Sequence, residues 1–169
     1  MTLAANDQEA RRPAAGRLLF VLGMLLTVPG TSRAAEPSAG SAIQWLGDDA
    51  PAFARARETG RPVLVDFWAD WCGACAMMER ATFSDPRVRS ALGRYVAVRL
   101  DGSEGSQALE SGRYDAAADR WQVRGLPTVL LFDPRGHLLD RIEGVTSAAE
   151  FLGRLHAGEA RCRTSLACR

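Results

Sequence analysis

Residues 63–75 read VLVDFWADWCGAC, an apolar run that ends in two cysteines separated by two residues. The nearly continuous apolar character of residues 63–68 predicts a central β-strand that is buried on both faces. A helix is expected to begin near Gly73, which would place Cys72 at its N-terminus. Unpaired backbone N–H groups and the helix dipole favour a thiolate at that position. The stretch therefore predicts that Cys72 is a nucleophile and that Cys75 resolves the mixed disulfide.

Cysteines at this spacing also form half of some zinc sites and some purely structural disulfides. No second pair with this spacing follows, and both histidines, His137 and His156, lie far downstream. Ala76 stands where covalent attachment of a c-type haem would require a histidine. These features favour redox chemistry, and we expect neither a metal nor another cofactor. A non-catalytic module that binds a peptide or copper is the alternative from a different functional class.

The composition is that of an ordinary globular protein. The chain has 169 residues, of which 47% are hydrophobic and 24% charged, and its formal net charge is +1. This length favours one domain. The nearly neutral charge, without a basic run interleaved with aromatic residues, argues against a nucleic-acid partner. We expect a monomer that does not bind nucleic acid.

Residues 1–35 are predicted to be a cleaved signal peptide. Basic residues precede an apolar stretch at residues 18–28, and small residues at 32–35 suit a cleavage site. The apolar stretch is shorter than the roughly 20 residues that span a bilayer, which favours a protein that is free after cleavage. An uncleaved N-terminal anchor is the alternative. Residues 36–42, which are small or polar apart from one proline, are predicted to be a linker.

The remaining patterns predict a domain over residues 43–157 with the element order β-α-β-α-β-α-β-β-α. Residues 43–46 are a possible edge strand. Residues 127–132 and 137–142 are expected to pair as an antiparallel hairpin across a turn. The final helix is expected to start after Ser147 and to end at about His156. A mixed sheet covered by helices on both faces is the natural architecture for this order.

A second pair of cysteines, Cys162 and Cys168, lies in a predicted tail at residues 158–169, beyond the last helix. Four cysteines permit three pairings, and the simplest joins Cys72 to Cys75 and Cys162 to Cys168. In an oxidising compartment the second pair is expected to form a local structural disulfide. The alternative is a relay pair that passes electrons to or from Cys72.

Two motifs, VDFWADWCGAC at residues 65–75 and VRGLPT at residues 123–128, resemble the two signatures of the thioredoxin superfamily. Glu79 and the motif TFSDP at residues 82–86 narrow the similarity to the C-terminal thioredoxin-like domain of the DsbD thiol:disulfide interchange family. The resemblance covers roughly residues 44–155. It implies an α/β thioredoxin-like fold, with a central mixed β-sheet flanked by helices on both faces.

The same resemblance implies an exported thiol:disulfide oxidoreductase that reduces protein disulfides in the periplasm. Its partners would be proteins that carry disulfides and a membrane protein that donates electrons. Gly73, between the cysteines, resembles the pattern of general thioredoxins more than that of DsbD. The two residues between the cysteines tune the reduction potential. A periplasmic oxidase or isomerase is the alternative within the class.

Two acidic residues are candidates for the proton chemistry. Asp66 stands alone in an apolar strand, so its pKa should be raised by desolvation and by a nearby thiolate, which suits it to exchange a proton with Cys75. The alternative is a hydrogen-bonded structural aspartate. Glu79 lies two helical turns after Cys72 and, if near, would raise the pKa of Cys72 by repulsion. Its alternative is a solvated surface position.

Three residues are candidates for substrate contact. The resemblance implies a cis bond between Leu126 and Pro127, which would present the backbone of Leu126 for strand-like pairing with an extended substrate. The alternative is a proline that simply begins a strand. Trp71, next to Cys72, is expected to be a partly exposed apolar contact.

Overall fold

A computed structural model describes residues 42–164 and residue 168. The predicted signal peptide and nearly all of the predicted linker lie outside the described residues. The elements follow in chain order: α1 (Asp49–Thr59), β1 (Val63–Trp68), α2 (Gly73–Met78), a π-helical turn (Glu79–Phe83), α3 (Pro86–Leu92), β2 (Val96–Asp101), α4 (Gln107–Glu110), α5 (Arg113–Arg120), β3 (Thr128–Phe132), β4 (Leu138–Glu143) and α6 (Ala148–Thr164).

The four strands form one mixed sheet in the order β2-β1-β3-β4. β1 pairs with β2 in parallel and with β3 antiparallel, and β3 pairs antiparallel with β4. β1 is thus central, as its apolar sequence predicts, and five of its six residues are buried. The predicted mixed sheet and the predicted hairpin are confirmed.

The expected edge strand at residues 43–46 is wrong. Only Leu46 pairs with the sheet, through an isolated parallel bridge to Val98. The backbone N–H of Leu46 donates to the carbonyl of Ala97, and its carbonyl accepts from the N–H of Arg99. Directly after this bridge the chain turns into α1, whose N-cap is Asp48, so the pairing does not continue.

Local capping signals determine where the helices begin and end. The side chain of Asp48 accepts a hydrogen bond from the N–H of Ala50, and Gly60 ends α1 with a left-handed φ of 67°. Asp85 caps α3 in the same way, with Pro86 as the first helical residue.

The core has two halves, one on each face of the sheet. Val63, Val65 and Phe67 of β1 pack in one half with residues of α1 and α5. Leu64 packs in the other half, which contains Met78 of α2 and residues of α3 and α6. Because side chains alternate along a strand, Asp66 lies on the same face as Leu64, beneath the helices that follow β1.

The last helix continues well beyond the expected end at about His156, because α6 reaches Thr164. Its buried residues Phe151, Leu155, Gly158 and Cys162 recur at helical spacing along one face. A Cβ at Gly158 would lie only 3.1 Å from Leu131 of β3, so a glycine allows the helix to approach the sheet. The predicted boundary between a domain and a tail therefore falls inside a helix, and Cys162 belongs to that helix.

Candidate functional site

The first cysteine pair lies where the chain leaves β1 and enters α2. Cys72 is the N-cap of α2, and its Sγ accepts a hydrogen bond of 3.0 Å from the backbone N–H of Cys75. The two residues form a disulfide, and their Cα atoms are 5.2 Å apart. Cys75 is 1% exposed, whereas Cys72 is 7% exposed. A reagent from solvent therefore reaches Cys72 more readily than Cys75.

Apolar side chains surround this disulfide. Trp68, Ala74 and Leu126 pack against the cluster that the two cysteines form with Ala69. The Leu126–Pro127 peptide bond is cis. Trp71 is 69% exposed, which makes it an apolar surface next to the disulfide. Of the three residues expected to contact a substrate, Leu126 thus packs against the cluster that contains the cysteine pair, Pro127 follows Leu126 in sequence, and Trp71 faces solvent.

Asp66 is buried, and it has a partner. Burial raises the pKa of its carboxyl group to about 6, against the opposing effect of Arg99, and the negative charge of Glu79 raises it further. The Nε atom of Arg99 donates a hydrogen bond of 2.8 Å to Oδ2 of Asp66. The expected raised pKa is confirmed, while the expectation of an isolated carboxylate is wrong. Asp66 and Arg99 are register partners on the parallel strands β1 and β2.

Glu79 begins the π-helical turn, and its side chain is 47% exposed. Its Oε2 atom accepts a hydrogen bond of 2.8 Å from Nη2 of Arg99. Glu79 is therefore a surface residue, as the alternative from the sequence proposed, but it is also joined to the buried Asp66 through a single guanidinium group.

Arg99 is the member of this site that the sequence analysis missed. Its guanidinium carbon lies 4.2 Å from the ring centroid of Trp45 and 5.5 Å from those of Trp68 and Phe83. Such stacking is favourable for a cation. The available signal was weak: Arg99 is the one charged residue within the otherwise apolar run of residues 95–100.

The second pair, Cys162 and Cys168, also forms a disulfide, with Cα atoms 5.6 Å apart. Both cysteines line a small cavity with Gly60 and Pro62, which come just before β1. Cys72 follows the opposite end of β1, a strand of six residues. At about 3.3 Å per residue, the two ends of the strand are about 17 Å apart. Sulfur atoms at opposite ends of β1 are too distant for direct thiol exchange within one molecule of this conformation.

Among residues 42–164 and 168, no three side chains of His, Cys, Asp or Glu come together in a way that could hold a metal ion. Within the same part of the chain, no helix has both the length and the apolar character needed to cross a bilayer.

Comparison with known proteins agrees with this geometry. The model of a thioredoxin-like domain matches residues 50–159. The thiol:disulfide interchange protein DsbD of Salmonella paratyphi A is 41% identical over 118 residues, which cover 69% of this chain and 20% of that protein. The chain thus spans about a fifth of the length of these curated relatives.

Solved structures give the same fold. A thioredoxin from Thermus thermophilus superposes with a TM-score of 0.60 at 27% identity, covering 76% of this chain and 93% of the thioredoxin. The C-terminal domain of Neisseria meningitidis DsbD in its reduced form superposes with a TM-score of 0.54 at 23% identity, covering 64% and 91%. The expected thioredoxin-like fold is confirmed, and the chain belongs to the family of thioredoxin-like domains.

Proposed function

We propose that this protein is a thiol:disulfide oxidoreductase that reduces disulfides of other proteins. The observation that carries the proposal is the placement of Cys72 at the N-cap of α2, where its sulfur accepts the N–H of Cys75. That hydrogen bond and the helix dipole stabilise a negative charge on the sulfur of Cys72 once the disulfide is open. The buried Cys75 then carries out the second step.

The reaction consists of two thiol exchanges. In the first, the Cys72 thiolate attacks one sulfur of the substrate disulfide, a mixed disulfide forms, and the other substrate sulfur leaves as a thiolate. In the second, Cys75 attacks the sulfur of Cys72, the Cys72–Cys75 bond closes, and the second substrate thiol is released. Two electrons have then moved to the substrate. An external dithiol must reopen the Cys72–Cys75 bond before the next cycle.

The neighbouring residues have assigned roles in this proposal. Asp66 accepts the proton that Cys75 loses in the second step, a role supported by its place beneath α2 and by a pKa that burial raises to about 6. Glu79 modulates the electrostatics of the site. Trp71, Leu126 and Pro127 contact an extended segment of the substrate protein, supported by the exposure of Trp71 and the packing of Leu126 against the cysteines.

Export and the reducing direction belong to the same proposal. The similarity to DsbD supports a membrane protein as electron donor and the periplasm as location. A second disulfide also suits an oxidising compartment. We propose that residues 1–35 are a signal peptide that is cleaved off and that residues 36–42 are a linker that precedes the thioredoxin-like domain. The Cys162–Cys168 disulfide is proposed to be structural. The mature protein is proposed to act as a monomer.

The reduction potential of the Cys72–Cys75 pair tests the direction. We would equilibrate the chain with a reference dithiol, using a Cys162→Ser/Cys168→Ser variant so that only one pair reports. A potential near that of thioredoxin, about −270 mV, would support a reductase. A potential near about −120 mV would mark a strong oxidant and overturn the reducing direction.

A further inference from the structure

One guanidinium group joins the two acidic residues of the site. Arg99 donates from Nε to Oδ2 of Asp66 and from Nη2 to Oε2 of Glu79, both at 2.8 Å. The two carboxylates differ in their surroundings, because the side chain of Asp66 is 1% exposed and that of Glu79 is 47% exposed. The bridge thus runs from the interior of the domain to its surface.

Aromatic rings restrict the position of the guanidinium. Trp45, Trp68 and Phe83 all lie within 5.5 Å of it, measured from the guanidinium carbon to the ring centroids. Trp68 also packs against the cluster that contains the two cysteines. The backbone of Arg99 is held as well, since its N–H donates to the carbonyl of Leu46. Arg99 is therefore a fixed positive charge beside the proposed proton acceptor.

Among the residues that the structure describes, few other charged groups face Asp66. Glu79 approaches from the π-helical turn, and α2, which carries Cys75, packs on the same face of β1 through Met78 and Leu64. On β3 the register partner of Asp66 is the apolar Val129. Tyr114 of α5 packs with Phe67 on the opposite face, and Asp66 contributes only the last of several effects that raise the pKa of Tyr114, after burial. Arg99 and Glu79 thus dominate the charge around Asp66 in the oxidised protein.

We propose that Arg99 is a positioning residue. By pairing with both Asp66 and Glu79, its guanidinium group sets the pH range of thiol exchange. In this arrangement Glu79 acts on the cysteine pair through Arg99 and Asp66, instead of by direct repulsion of Cys72. The inference rests on the proposed function in one respect, because it requires Asp66 to take a proton from Cys75 during the second exchange.

The chemistry of that exchange shows why the bridge matters. The proton moves from Sγ of Cys75 to the carboxylate of Asp66. The Cys75 sulfur then bonds to the Cys72 sulfur, and the bond between Cys72 and the substrate breaks, with its electron pair leaving on the substrate thiolate. Asp66 accepts a proton only when it is ionised. Arg99 favours the ionised form and Glu79 disfavours it, so the two side chains have opposite effects on the pH at which the step becomes possible.

The first test follows the titration of Asp66 itself and needs no activity. Carboxyl ¹³C NMR would be recorded on the oxidised chain and on three variants, Arg99→Gln, Glu79→Gln and the double variant. We expect the midpoint of Asp66 to rise by about one pH unit in Arg99→Gln, the lower end of the range for a lost ion pair. In Glu79→Gln it should fall, and by less. An unchanged midpoint in Arg99→Gln would overturn the proposal.

The double variant separates the two routes for Glu79. If Glu79 acts through Arg99, the Glu79→Gln change shifts the Asp66 midpoint less in the Arg99→Gln background than in the wild-type chain. Equal shifts in both backgrounds would contradict that route. Arg94→Gln is a matched control, because Arg94 pairs with Glu159 of α6 instead of with Asp66, and its loss should leave the midpoint of Asp66 unchanged.

The second test is the pH profile of the resolving step. A chromogenic aryl disulfide would load Cys72, and stopped-flow absorbance would follow release of the aryl thiol as Cys75 attacks. In Arg99→Gln the midpoint of the profile should move to higher pH, with a loss of rate at pH 6 that recovers by pH 9. Arg99→Lys keeps the positive charge but lacks the two-pronged guanidinium group. In this variant the midpoint should return most of the way to its wild-type value. A loss by the same factor at every pH would indicate a merely structural role and would overturn the proposal.

The two tests also distinguish failure of this inference from failure of the proposed function. If the wild-type chain reduces no disulfide while the Asp66 titration responds to Arg99 as expected, the proposed function fails and so does the assignment of Arg99 to thiol exchange. If the wild-type chain is active and neither the titration nor the pH profile responds to Arg99, only the inference fails.

Discussion

The two disulfides of this protein lie at opposite ends of β1 and at opposite ends of helices. Cys72 caps the N-terminus of α2, where backbone N–H groups favour a thiolate. Cys162 lies in the last turn of α6, where the negative end of the helix dipole favours the neutral thiol. The same covalent bond is thus placed in an environment suited to exchange in one case and to permanence in the other. Its surroundings, more than the presence of two cysteines, determine what each pair does.

The largest expected difference between the pairs is in turnover. Cys72→Ser removes the nucleophile, so reduction of insulin disulfides by the chain with a small dithiol as donor should fall at least about a thousandfold. The Cys162→Ser/Cys168→Ser variant should stay within about twofold of wild type. If the Cys162→Ser/Cys168→Ser variant lost most of the activity, the second pair would be a relay, and the contrast between an exchanging and a permanent disulfide would be wrong.

The buried carboxylate near the first pair should have a measurable cost in stability. The pKa of Asp66 is raised in the folded protein to about 6, above its value of about 3.9 in an unfolded chain. The folded state therefore binds the proton more tightly, and stability falls as the pH rises from about 4 to about 6. At pH 7 Asp66→Asn should raise the free energy of unfolding by up to about 3 kcal/mol, since one pKa unit corresponds to about 1.36 kcal/mol.

Urea denaturation at a series of pH values would measure this effect. The gain of Asp66→Asn should disappear below about pH 4, where Asp66 is protonated in both states. The same variant should slow thiol exchange several-fold while remaining folded. A variant less stable than wild type at pH 7 would show that the hydrogen bond from Arg99 outweighs the cost of burial, and unchanged exchange kinetics would remove Asp66 from the mechanism.

Loss of the second disulfide should reduce stability without affecting the chemistry. Cys162 and Cys168 are six residues apart, and a loop of this length constrains the unfolded chain by about 2 kcal/mol. The Cys162→Ser/Cys168→Ser variant should lose about that much unfolding free energy in urea titrations under oxidising conditions. Under reducing conditions, which open both disulfides of the wild-type chain, this difference between the variant and the wild type should disappear. Equal stabilities under oxidising conditions would contradict a structural role.

The smallest expected effect concerns the exposed tryptophan beside the first pair. Trp71→Ala should raise the KM for a protein disulfide a few-fold, because apolar contact with the substrate is lost, a cost of about 1 kcal/mol. Reduction of a small aryl disulfide, which does not reach across this surface, provides the control and should change less. Equal effects on both substrates would indicate that Trp71 supports the active-site loop instead of the substrate.

Much of the fold could be predicted because its signals are local. The apolar run of β1 and the start of α2 at Gly73 both depend on neighbouring residues. Prediction failed where a boundary depends on tertiary packing instead of on neighbouring residues. The last helix was predicted to end at about His156, but α6 continues to Thr164. Gly158 and Cys162 are buried because the helix packs closely against the sheet, and the sequence pattern alone does not mark them as core residues.

The sequence by itself determined the central strand, the helix that begins at the cysteines, and the spacing of Cys72 and Cys75 that predicts a redox pair, because each depends on residues within a few positions of one another. Only the tertiary structure decided the charge around that pair. Asp66 and Arg99 are 33 residues apart and meet through the parallel register of β1 and β2, which the sequence does not specify. The two disulfides are likewise separated by the length of β1, a distance that exists only once the sheet has formed.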